Sequence, residues 1–150
     1  METGISYFSC KYSEYHMSLR RFEERKKELR EAILRLEEAV AQPESDIVRD
    51  SVIQRFEFSF ELAWKTLQIY LEHQGLEAGS PRQALKSAFA QGIIPTEEEA
   101  DVWMKILDDR NLTTHTYREE LAKSIYKKIS EMYVSHFREM DDRIQATTWK

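Results

Sequence analysis

The 150-residue chain has one cysteine, Cys10, so it forms no internal disulfide and a reducing compartment is expected. Glycine and proline are scarce, at four and three residues. That leaves little material for the many tight turns of an all-β fold and points to long helices. There is no polybasic run, and the formal net charge is −5. A protein that grips duplex DNA through many phosphates is usually basic, so duplex DNA is not an expected partner. A small cationic pocket acting on RNA stays open, because net charge averages over all faces. No apolar run approaches the ~20 residues that span a bilayer. The first residues carry no apolar signal-peptide region, and a cytoplasmic protein is expected. A phosphate-cradling glycine loop, Cys/His metal spacing and a strand-turn-helix nucleophile elbow are all absent. The four histidines stand apart at positions 16, 73, 115 and 136, so no metal and no cofactor are expected.

Hydrophobic residues make up 41% of the chain and charged residues 33%, the balance of a well-solvated globular domain. A domain this long buries roughly 70% of its unfolded surface and needs no staple. Residues 1–16 match no periodicity and read as an N-terminal arm, either ordered or a disordered tail or mis-called start. Residues 17–145 read as one helical bundle. A first helix is expected from about Ser18 to Val40, with Leu19, Phe22, Leu29, Ile33, Leu36 and Val40 at helical spacing. Gln42-Pro43 closes it, since the residue before proline avoids the helical region.

A second helix opens near Ser45 or Asp46 and runs toward Gly75. Two adjoining apolar stripes cover more than half its circumference: Val52, Phe56, Ser59, Ala63, Leu67 and Tyr70, then Ile53, Phe60, Trp64 and Leu71. Such a helix is central to the bundle or also an oligomer contact. Glu57, Glu61 and Lys65 form a polar ridge on it. Ser80-Pro81 starts a short helix that Gly92 closes. Thr96 with Glu99 makes a capping box for the next, which carries Trp103, Ile106 and Leu107. The last long helix covers about Arg118 to Arg143, with Leu121, Ile125, Ile129, Met132, Tyr133 and Phe137 inward. The expected architecture is all-α: an antiparallel up-and-down bundle of four core helices with an extra short one.

One polar segment, Asp108 to Tyr117, lies between two apolar-periodic helices. Arg110 offers a permanently charged planar fork suited to phosphate. His115 titrates near neutrality. Tyr117 adds a hydroxyl, and Asn111 is placed to orient the imidazole four residues on. On a regular helix Arg110 and His115 stand about 140° apart. Either Arg110 reaches forward from the preceding turn, or a second copy of the chain completes the pocket. A helix-capping arginine beside a surface imidazole is the structural alternative. Trp64 and Trp103 have the geometry to stack on a base, but within apolar stripes they read as core.

The stretch FEFSFELAWKTLQIYLEHQGLEAGSPRQALKSAFAQGII resembles the nucleotidyltransferase substrate-binding protein family. The segment RNLTTHTY is similar to the motif of the HEPN superfamily, in the form seen in HepT-type toxins, where a tyrosine follows two residues after the histidine. Together these cover about residues 18–140. The resemblance implies a HEPN-like bundle that homodimerises with its motifs facing, and a minimal nucleotidyltransferase as partner. It further implies a metal-independent ribonuclease toxin that acts on RNA and is neutralised by adenylylation of its motif tyrosine. On that basis Arg110 binds the scissile phosphate, His115 moves the proton, Asn111 supports them and Tyr117 is the modification site. A non-catalytic nucleotide- or substrate-binding subunit of a two-component transferase stands beside this reading.

Overall fold

In the computed structural model the backbone is described for residues 2–150, and side chains for residues 10, 11 and 13–150. The chain forms α1 (Glu2–Val40), α2 (Asp46–His73), α3 (Pro81–Ala90), α4 (Glu97–Leu112), a 3-10 turn (Thr113–His115), α5 (Glu119–Lys128), a π-turn (Ile129–Tyr133) and α6 (Val134–Gln145). The helix termini follow the local chemistry read from sequence. Ser45, Ser80 and Thr96 each accept a backbone N–H from the first turn of their helix. Pro81 fills the first turn of α3, where its missing N–H costs nothing. Gly75 and Gly92 take φ of +81° and +80° just past α2 and α3, a conformation that favours glycine.

Three features depart from the sequence expectation. First, α1 reaches back beyond Ser18, to Glu2. Once a helix is nucleated each added residue gains one backbone hydrogen bond, so the helix can extend through a segment that has no apolar stripe. The arm expected over residues 1–16 lies in part outside the described residues; Cys10–His16 are helical. Second, the capping box is half made. Thr96 caps Glu99 N–H, but the Glu99 carboxylate is held by Arg143 at 2.5 and 3.0 Å. Third, the last long helix is interrupted by the π-turn.

Contacts between helices fix the directions. Phe22 stacks on Tyr70 and Arg55 reaches the Arg35 carbonyl, so α1 and α2 run antiparallel. Trp103 meets Phe137 and Glu99 meets Arg143, which sets α4 antiparallel to α6. Gln145 donates to the Lys26 carbonyl and Arg138 pairs with Glu37, so α6 returns along α1. The result is the up-and-down bundle of α1, α2, α4 and α5–α6, with α3 as the extra short helix. Phe22, Phe56, Phe60, Trp103, Tyr133 and Phe137 are among the largest fully buried side chains. As expected of its double stripe, α2 touches every other helix. Among the described residues no helix is long and apolar enough to cross a membrane.

Candidate functional site

Helix α4 ends on the polar segment. Asp109 and Arg110 occupy its last turn, Thr113 to His115 tighten into the 3-10 turn, and α5 begins at Glu119. Thr113 is buried and ties the turn down: its hydroxyl donates to the Arg110 carbonyl at 2.7 Å and accepts from Arg110 Nη1 at 3.2 Å. The Thr116 N–H and the Thr116 hydroxyl both donate to the Thr113 carbonyl, at 3.4 and 2.9 Å. The backbone of the segment is therefore held by its own threonines.

The side chain of Arg110 is only 23% exposed and points across to α2. There Nη1 lies 3.9 Å from Glu57 Oε2 and Nη2 lies 3.8 Å from Glu61 Oε1. Glu61 also accepts from Trp64 Nε1 at 3.2 Å and lies 3.6 Å from Lys65 Nζ. The polar ridge of α2 thus serves the motif arginine. Arg110 Nε is buried without a hydrogen-bond partner, so beyond the bond to Thr113 the guanidinium is held by charge.

Asn111, His115 and Tyr117 stand at the surface, Tyr117 76% exposed. The His115 and Tyr117 rings meet edge to face at 6.0 Å, and the Arg118 guanidinium sits 5.9 Å from the Tyr117 ring centre. Among the described residues no hydrogen bond joins Arg110 or Asn111 to the His115 ring. Within one protomer, then, the histidine and tyrosine come together while the arginine faces α2. The Tyr117 side chain lies open to solvent.

Sequence reasoning missed the layer behind this segment. Asp109 is only 6% exposed. Its carboxylate accepts the Tyr133 hydroxyl at 2.5 Å and faces Lys128 Nζ at 3.3 and 3.5 Å. Burial and the hydrogen bond to Asp109 push the Tyr133 phenol well above its ordinary range. Five residues on a regular helix stand about 140° apart, so the pair Lys128 and Tyr133 gave no signal in the sequence.

For a metal, one group is geometrically available among the described residues: Glu99, His136 and Glu139 bring ligand atoms within 4.8 Å of one another. Arg143 already occupies the place of the cation, pairing with Glu99 and lying 3.6 Å from Glu139. Its hydrogen bonds hold the Glu99 carboxyl below the ordinary carboxylate range.

The chain is thus an all-helical up-and-down bundle with an Arg-x4-His-x-Tyr segment at the end of its third long helix. A family model described as "Nucleotidyltransferase substrate binding protein like" matches residues 13–146, and the chain belongs to that family. It is 30% identical over 97 residues to the Haemophilus influenzae protein called "Probable ribonuclease HepT", a match over 59% of this chain. The chain spans 64% of the length of that relative. A crystal structure of a Thermus thermophilus protein superimposes with a TM-score of 0.72 at 37% identity, covering 78% of this chain and 98% of the other. A tri-AMPylated Shewanella oneidensis HEPN toxin, solved in complex with its MNT antitoxin, superimposes with a TM-score of 0.69 at 19% identity. That match covers 84% of this chain and 97% of the toxin, and shows the shared fold.

Proposed function

We propose that the chain is a HepT-type ribonuclease toxin neutralised by a minimal nucleotidyltransferase that adenylylates Tyr117. The observation that carries this reading is the placement of Tyr117 at the surface against His115, in the segment whose arginine anchors to α2. The similarity to a HepT-named relative, and to a HEPN toxin that carries AMP groups and sits with an MNT antitoxin, supports it.

The chemistry follows from the residue types. Arg110 takes the scissile phosphate and stabilises charge as it develops, and the phosphate displaces Glu57 and Glu61 from the guanidinium. His115 accepts the proton of the ribose 2′-hydroxyl as its oxygen attacks phosphorus; the 5′-oxygen leaves and takes a proton back. No metal is required. Because Arg110 and His115 diverge within one bundle, a homodimer with facing segments supplies the pair across the seam. Adenylylation joins the Tyr117 oxygen to the α-phosphorus of a nucleoside triphosphate and releases pyrophosphate. The added phosphate and nucleotide then occupy the place of RNA. Expression in a bacterial host without the partner should arrest growth, and Arg110→Ala and His115→Ala should each restore it. Undiminished toxicity in both variants would contradict the reading.

One observation favours a second reading, a non-catalytic binding subunit of a two-component transferase. Arg110 is already faced by two carboxylates in a chain of net charge −5, which suits a closed site. A purified chain that leaves RNA intact, yet alters the activity of the transferase, would select this alternative.

A further inference from the structure

The carboxylate beside the motif arginine is buried and doubly held. Asp109 receives a short hydrogen bond from Tyr133 and faces the ammonium of Lys128, as described above. Asp109 is also the chain neighbour of Arg110, so the bonds to its carboxylate tether the last turn of α4 to Lys128 and Tyr133.

The other end of the same network reaches α2. The Tyr133 ring stacks on Phe56 at 6.0 Å with an interplanar angle of 18°. Phe56 is fully buried, and the next residue is Glu57, one of the two carboxylates facing Arg110. Tyr133 therefore stands between the residue before Arg110 and the residue before Glu57. It fixes the separation of the two elements that the Arg110 side chain bridges.

The π-turn explains how one helix supplies both donors. Lys128 and Tyr133 are five residues apart, and on a regular α-helix their side chains would diverge by about 140°. In the turn over Ile129–Tyr133 the backbone bonds run from residue i to i+5, with Val134 N–H on the Ile129 carbonyl. Residues five apart then stack along one face, and both reach Asp109. Such π-turns are rare and occur frequently at functional sites.

We infer that Tyr133 and Asp109, with Lys128, are positioning residues that hold the end of α4 against α2 and so set where the Arg110 guanidinium points. The inference deepens the reading of Arg110 as the phosphate-binding group, and its test reads the arginine directly. In the isotope-labelled full chain, the Arg110 Nε–H resonance is assigned by its loss in Arg110→Lys. Tyr133→Phe keeps the ring and its stack on Phe56 while removing the hydroxyl. It should shift that resonance and speed its exchange with solvent about tenfold, the equivalent of ~1.4 kcal/mol of opening free energy. Asp109→Leu should do the same, whereas Asp109→Asn, which keeps an acceptor for the hydroxyl, should restore a resonance near that of the wild type. Tyr126→Phe, the same change at another buried tyrosine of the last helix run, should leave it unmoved.

An unchanged Arg110 resonance in Tyr133→Phe, with native far-ultraviolet circular dichroism, would overturn the inference. A second readout separates it from the ribonuclease reading. Binding of a short single-stranded oligoribonucleotide should weaken in Tyr133→Phe to the same degree as the resonance loses protection. If the resonance responds as stated while the oligoribonucleotide binds neither wild type nor variant, the positioning role stands and the RNA reading falls.

Discussion

Arg110 Nη2 lies 3.8 Å from Glu61 Oε1, and this contact orients the motif arginine toward α2 rather than toward His115. The pairing makes the arginine both anchored and partly neutralised. Each carboxylate is at least a third exposed, so each contributes little to stability, about 0.2–1 kcal/mol once solvent screening is counted.

On the proposed function, phosphate competes with those carboxylates for Arg110. Glu57→Gln and Glu61→Gln should each tighten binding of a short oligoribonucleotide by up to about fivefold, the affinity equivalent of ~1 kcal/mol. The gain should shrink as salt is raised, because exposed pairs are screened. Fluorescence anisotropy at two ionic strengths measures it; weaker binding in both variants would show that the glutamates assist the ligand.

The core should respond at Trp103, which is buried against Phe137 with their ring centres 5.1 Å apart. Trp103→Ala leaves a cavity and should cost about 3–5 kcal/mol by urea unfolding. Arg20→Ala, which breaks an exposed i,i+4 pair on α1, should cost under ~0.5 kcal/mol.

The Glu99–Arg143 pair should shape the acid limb of stability. Arg143 holds the Glu99 carboxyl below the value it has in the unfolded chain. The stabilisation is therefore present above the ordinary carboxylate range and is lost as pH falls through it toward the folded value. Glu99→Gln should lower the urea midpoint at pH 7 and flatten its fall between about pH 5 and pH 3. An acid limb as steep as that of the wild type would show that other carboxylates carry it.

Much of the fold was legible in the sequence because it is local. Ser45, Ser80, Thr96, Gly75 and Gly92 mark helix ends through bonds made within a few residues. The period of Phe22, Leu29, Ile33 and Leu36 names the buried face of α1, and all four are fully buried. The double stripe of α2 identified the central helix. The long-range polar pairs were not legible. Glu57 and Glu61 read only as a polar ridge, since nothing in their spacing says that an arginine from α4, about fifty residues on, will lie across them. Glu99 read as half of a capping box until Arg143 claimed its carboxylate from α6. Lys128 and Tyr133 were hidden by assuming 3.6 residues per turn through the π-turn. The types in the motif were visible, but the direction of Arg110 needed the packed helices.

The proposed function turns on Tyr117 as the residue that a nucleotidyltransferase adenylylates. Intact-protein mass spectrometry of the full chain, produced alone and together with its minimal nucleotidyltransferase, tests this most directly. A mass gain of one or more adenylyl groups is expected in the co-produced chain, absent when the chain is made alone and absent in Tyr117→Phe. A chain of unmodified mass beside an active transferase, or a gain that persists in Tyr117→Phe, would contradict it.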